Sequence, residues 1–214
     1  MPSASLSDNW DDYDSLFYNA WLGVSIEPTK FLDRPILKKL GIEGDIQDMI
    51  TQLGLGTMPS RAYDLYPDLV RQFMATVEVT YRISSARVAG DGTLTFFARG
   101  TRYRITITEL CRIYGFDESI ASYTVPPFPH LEGFWDIVGT GVWDTNRAVL
   151  SDIRHPALRY FLRLLANTLV CKMEPNKVRI KELTLLFCAV NGVVDLVELD
   201  EDGKVSLPNL GAVF

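Results

Sequence analysis

IRHPALRYFLRLLANTLVCK, residues 153–172, carries the clearest periodicity in the chain. Leu158, Phe161, Leu162, Leu165, Ala166, Leu169 and Val170 recur at i, i+3, i+4, i+7, i+8, i+11 and i+12, so all of them share one helix face, and that face must be buried. Pro156 fits the first turn, where its missing N–H forfeits no hydrogen bond and its fixed φ already suits a helix. Arg159, Arg163 and Asn167 follow at i, i+4 and i+8 on a different face, which presents two guanidinium groups together. Two readings fit this stripe. In one it is a solvated face whose arginines pair with the protein's own carboxylates, each pair contributing about 0–1 kcal/mol. In the other it contacts a phosphate or a partner, because a guanidinium offers a rigid fork of donors that suits phosphate oxygens.

Beyond this helix, EPNK makes a turn, and residues 178–190 repeat the pattern with Ile180, Leu183, Leu186, Phe187 and Val190 inward. The short connection predicts a C-terminal helical hairpin. Upstream, Trp135, Ile137 and Val138 predict a short helix ahead of a GTG turn at 139–141. Residues 116–131 contain VPPFPH and show no period, which predicts a long ordered loop or hinge, too rich in apolar residues for a free linker. Before it, Thr106 and Glu109 form a T-x-x-E capping box that opens a helix with Leu110 and Ile113 inward and Gly115 at its end.

Further upstream the period falls from 3.6 to 2. Val77, Val79, Tyr81 and Ile83 alternate with polar residues, and after a Gly90-Asp91-Gly92 turn Leu94, Phe96 and Ala98 do the same. A third strand, 102–105, sets Tyr103 and Ile105 on one side and Arg102 and Arg104 on the other. Paired as a meander, these strands place Arg82, Arg102 and Arg104 on the polar face of a small sheet, either a solvated face or an anion-binding one. The first third is a set of short helices. Asp33 caps one, Pro35 enters its first turn and Gly41 stops it; Ile46, Met49, Ile50 and Leu53 line a second that ends near Gly54; a third starts at Pro67 with Leu69, Val70, Phe73 and Met74 inward.

Residues 1–8 are small and polar and are expected to be disordered. Trp10, Tyr13, Phe17 and Trp21 then recur at helical spacing among Asp11, Asp12 and Asp14, which predicts a short acidic amphipathic helix. It either docks on the protein's own core or inserts into a partner's groove through Trp10, Phe17 and Trp21. The expected architecture is α+β and predominantly helical, with a small antiparallel three-strand meander and the helical hairpin. Residues 1–24 form an N-terminal extension and 25–214 a single globular domain, with a C-terminus expected to be truncated because no stop signal precedes Phe214.

The function classes narrow by composition. Hydrophobic content of 47% in 214 residues is enough for a sizeable core. A net charge of -6 argues against a surface that attracts nucleic acid everywhere but leaves room for a local basic patch. The N-terminus has no secretory pattern and residues 183–194 are too short an apolar run to span a bilayer, so an intracellular protein, nuclear or cytoplasmic, with no membrane partner is expected. Three cysteines, Cys111, Cys171 and Cys188, are an odd number with no CxxC pair and fit free thiols in a reducing compartment. With only His130 and His155 available, a nucleophilic triad or a histidine-based metal site is hard to assemble, and His155 reads as a helix-cap residue. ELDEDGKVSLPN, 198–209, partly follows a calcium loop, but Asn209 stands where a bidentate carboxylate is needed and Pro208 where a helix should begin, so a hairpin turn is the better reading. The GTG lacks the third glycine of a dinucleotide fingerprint. No catalytic residue, cofactor or metal is assigned.

The succession of FLD and LKKLGIEGDIQDMITQLGL, RAYDLYPDLVRQFMATVEV, GTRYRITITELCRIYGF and HPALRYFLRLLANTL resembles the first-open-reading-frame protein of Athila-type, gypsy-class plant retrotransposons, from about residue 31 to 190. The resemblance implies a plant protein derived from a transposable element, with no established enzymatic motif and so no catalytic residues to carry over. The expected function is a non-enzymatic interaction module. It either self-associates or binds nucleic acid through Arg82, Arg102, Arg104, Arg159 and Arg163. The alternatives are a protein-docking module of a domesticated host gene, acting through the N-terminal segment, and an enzyme whose site lies near His130.

Overall fold

The computed structural model describes residues 9–83, 91–116 and 130–191, with the backbone of a short strand pair at 198–199 and 205–206. The expectations for residues 1–8, for Gly90 and for the proline-rich loop through 117–129 lie outside these residues, as do most of those for the tail. The chain divides into two compact units: unit 1 is Met1–Pro28 with Tyr63–Tyr114, and unit 2 is Thr29–Ala62 with Gly115–Phe214. The fold is α+β with helices predominant among the described residues and one three-stranded antiparallel sheet.

Unit 1 comprises α1 (Asp12–Leu22), α4 (Pro67–Thr76), β1 (Glu78–Tyr81), β2 (Gly92–Ala98), β3 (Thr101–Thr106) and α5 (Ile107–Tyr114). The strands run in the order β1-β2-β3 as the expected meander, with Val79 opposite Leu94 and Phe97 opposite Arg102. Arg99 and Gly100 close the second hairpin, both at positive φ, as the twist of a two-residue hairpin loop demands. Arg99 is not a residue that favours this conformation, and the side chain of Gln72 holds it by accepting its N–H at 2.8 Å. Thr76 ends α4 and accepts the Phe97 N–H at 2.8 Å, extending the hydrogen bonding of β2 past the end of β1.

The burial of the sheet differs from the alternation in the sequence. Thr95 and Phe97, on the side read as polar, carry the buried side chains of β2, whereas Val79 and Ile83 are exposed. The reason is α1. Its Trp10 end packs edge-on against Phe97, and its Asp14 carboxylate meets Arg102 at 2.8 Å. Phe96, pointing to the other face, meets Phe73 of α4 and stacks on Tyr103. Met74, expected inward, is exposed. At the start of α5, Thr106 caps the Glu109 N–H as the T-x-x-E spacing predicts, but the Glu109 carboxylate turns away to chelate Arg112 instead of closing the box. That bidentate bond holds the Glu109 carboxyl below its ordinary pKa.

Unit 2 comprises α2 (Arg34–Leu40), α3 (Glu43–Gln52), α6 (Leu131–Val138), α7 (Pro156–Thr168), α8 (Ile180–Asn191) and the strands β4 (Glu198–Leu199) and β5 (Val205–Ser206), which pair antiparallel as a hairpin reading of ELDEDGKVSLPN requires. The caps read in the sequence are present: the Asp33 carboxylate accepts the Ile36 N–H, and Gly41 ends α2. His155 holds the cap position of α7 through its backbone, without a side-chain cap bond. The inner face of α7, with Leu158, Phe161, Leu162 and Leu165, forms one core with Ile46 and Ile50 of α3, Phe134 and Trp135 of α6, and Leu183 and Leu186 of α8. Leu169 and Ile180, expected inward, are exposed because α7 ends at Thr168 and α8 only begins at Ile180, so neither lies over the packed turns.

The GTG turn has a packing reason. A Cβ at Gly139 would stand 2.4 Å from the Trp135 ring, a distance that only glycine avoids. The Trp135 indole N–H in turn donates to the Gly141 carbonyl at 3.0 Å. Arg154 then covers the end of α6, donating to the Asp136 and Ile137 carbonyls, each at 3.0 Å.

Candidate functional site

Along the exposed side of α7 runs a groove of about 660 Å³, lined by Val149, Leu150, Ser151, Arg159, Tyr160, Arg163 and Asn176. Its far wall is made by two segments that the sequence pattern does not connect. Leu150 N–H donates to the Asn176 carbonyl at 2.7 Å and Val178 N–H to the Ala148 carbonyl at 2.9 Å, so residues 148–150 and 176–178 pair as a short antiparallel ribbon. A buried ion pair fixes this ribbon's approach. Lys172 meets Glu182 at 2.7 Å and also donates to the Lys177 carbonyl, while Glu182 accepts the Arg179 N–H. Both Glu182 oxygens and two of the three Lys172 N–H groups are thus engaged, which is what makes burial of two charges tolerable. Nearby, Glu174 sits between Lys177 and Arg179, and its hydrogen bond from Lys177 holds its carboxyl below the ordinary pKa.

The two guanidinium groups of the α7 stripe both reach this groove. Arg159 donates one nitrogen, Nη1, to the Ile153 carbonyl at 2.9 Å and the Arg154 carbonyl at 3.3 Å. Arg163 donates Nη1 to the Asn176 side-chain oxygen. Among the described residues neither arginine pairs with a carboxylate, which removes the ion pairs of the first reading, while Arg163 is exposed as that reading has it. Each keeps Nε and Nη2, the edge of the guanidinium that engages an oxyanion with two donors, outside these bonds. Asp152, the nearest carboxylate to Arg159 in the chain, accepts the Val149 N–H. Chemically, the groove can hold an anionic group against two fixed positive charges, with the Ser151 hydroxyl and the Asn176 amide as neutral partners.

The other candidate arginines, Arg82, Arg102 and Arg104, stand in unit 1 and do not form a cluster of this kind. The Arg102 side chain is 3% exposed and sits against that of Asp14, 8% exposed, with its guanidinium over the Phe97 ring at 5.1 Å. The expectation that it decorates a solvated face is therefore overturned, because α1 covers that face. Arg82 is exposed and closes the first hairpin by donating to Asp91. Arg104 lies opposite Thr95 and is exposed. Of the N-terminal aromatics, Trp10 and Trp21 are half-buried, whereas Phe17 is exposed and packs beside Tyr13. The outward face of α1 carries Tyr13 at 69% and Leu16 at 66% exposure. The sequence reading missed Leu16, although it continues the stripe of Tyr13 and Phe17 at i+3.

His130 holds the cap position of α6 and is exposed. The three cysteines are free thiols: Cys111 buried, Cys188 half-buried with its pKa raised by burial, and Cys171 exposed. Among the described residues no group of His, Cys, Asp and Glu could hold a metal ion, and no helix is long and apolar enough to cross a membrane. Of the groove residues, sequence reasoning singled out only Arg159 and Arg163, and it missed Tyr160, Asn176 and the 149–151 segment. Tyr160 is flanked by the stripe itself, while nothing local marks Asn176.

Among known families, the model described as ATHILA ORF-1 family matches residues 16–205. No curated protein and no solved structure matches the chain.

Proposed function

The chain belongs to the ATHILA ORF-1 family and is thus retrotransposon-related, and from that premise we propose that it is a non-enzymatic interaction module that binds nucleic acid through the Arg159 and Arg163 groove. One observation carries this reading: two guanidiniums one helical turn apart, anchored by neutral acceptors, with neither in an ion pair to a carboxylate among the described residues. A phosphate supplies the charge that the protein does not, and it meets two forks already held in place. The overall charge of -6 sharpens the expectation. Most of the surface repels a polyanion, so binding is confined to the groove and depends on it strongly.

Labelled single- and double-stranded RNA and DNA, titrated at low and physiological salt against the full chain and an Arg159→Ala/Arg163→Ala variant, test the proposal. Binding is expected to weaken as salt rises and to be lost in the folded variant. Undetectable binding, or equal binding by the variant, would sink it.

A second reading has its own observation, the outward apolar stripe of Tyr13, Leu16 and Phe17 on α1, which suits docking on a second copy of the chain or on another protein. Deleting residues 1–24 would not test it, since that also removes Trp10 and Asp14 from the packing of unit 1. Tyr13→Ser with Leu16→Ser keeps those contacts. Sedimentation of the full chain should then show loss of a self-associated species, and an unchanged distribution of species would remove self-association from consideration.

A further inference from the structure

We infer that the groove takes single-stranded nucleic acid, with the ring of Tyr160 as a platform for one base beside the phosphates held by Arg159 and Arg163; this deepens, and rests on, the reading above. Tyr160 lies between the two arginines on α7 and lines the same groove. Its hydroxyl accepts the Asp33 backbone N–H at 3.3 Å, so the ring is tethered at its far end. Arg159 and Arg163 are separated by four residues, about 6 Å of helix rise, and Tyr160 falls within that interval. Tyr160 stands about 100° around the helix from Arg159, packed against the core on one side and lining the groove on another, so a strand held by both arginines has its ring within reach.

The geometry selects against a duplex. The arginines open into a depression walled by residues 149–151 and Asn176 rather than standing on a projecting helix. A duplex keeps its bases stacked inside and presents only its backbone to such a depression. A single strand can turn one base into it, and every base has a face that stacks on an aromatic ring whatever its sequence. The depression, about 660 Å³, has room for a nucleotide or two. Ser151 and Asn176 can meet base or sugar edges without requiring a particular base.

The test compares four probes on the full chain at one ionic strength: a labelled single strand, the same strand with abasic sites in place of its bases, the corresponding duplex, and inorganic polyphosphate. The wild type should bind the intact strand about 5- to 150-fold more tightly than the abasic one, the span expected for one stacked base, and more tightly than the duplex or polyphosphate. Tyr160→Leu should bring the intact strand down to the abasic value, while Tyr160→Phe, which retains the ring, should not. Equal binding of intact and abasic strands by the wild type overturns the stacking role without needing any variant, and so does a duplex bound as tightly as the single strand. If Arg159→Ala/Arg163→Ala still loses binding in that case, the groove reads phosphate alone and the underlying proposal stands. If no probe binds the wild type, both fail together.

Discussion

Leu165→Ala should destabilise the protein by about 2–5 kcal/mol, the range for removing a large aliphatic side chain from a core that cannot close around the gap. Leu165 is fully buried in the middle of the α7 stripe. It belongs to the core that α7 shares with α3, α6 and α8, and α7 packs on α3 and α8, so neighbouring helices would have to move to fill the cavity. Arg163→Ala, only two residues away, should cost well under about 1 kcal/mol, since an exposed side chain loses a single contact with Asn176. Urea unfolding of the two variants beside the wild type makes the comparison. Equal losses would mean that the inner and outer faces of α7 have been exchanged.

The second large effect lies in unit 1. Asp14→Leu should cost about 3–5 kcal/mol, because it breaks a buried ion pair and takes the Asp14 carboxylate away from the Arg102 guanidinium. The pair itself contributes much less than this, since two charges had to leave water to form it. The double replacement Asp14→Leu with Arg102→Met should therefore recover most of the loss, as apolar residues of similar volume commonly replace a buried pair without penalty. Melting temperatures of the single and double variants decide the matter. A single variant that melts with the wild type, or a double variant no better than the single, would mean that α1 does not seal this face.

Where the fold was legible in the sequence, local chemistry made it so. The Asp33 cap, the Pro156 start and the inward stripe of α7 are set by residues within two or three turns of one another, and the structure has each of them. The sheet was legible in its strands and order but not in its burial. Alternation in β2 reports that the two faces differ, yet which face is covered depends on α1, about 80 residues earlier in the chain, bringing Trp10 to Phe97 and Asp14 to Arg102. The same limit governs the candidate site. The i, i+4 spacing announces that Arg159 and Arg163 share a face, whereas their freedom from carboxylates and their Asn176 partner follow from the pairing of 148–150 with 176–178, a long-range contact that no period encodes.

The central claim is that phosphates meet the α7 arginines, and the salt dependence of binding tests it most directly. Affinity for a single strand should be measured across a range of salt concentrations for the full chain and for Arg163→Ala, whose fold the expected small stability loss leaves intact. The logarithm of affinity should fall linearly with the logarithm of salt, and the slope should be shallower in the variant by about 0.7, the contribution of one phosphate contact on a single strand. Parallel lines for the two proteins would contradict the account, because they would show that Arg163 meets no phosphate.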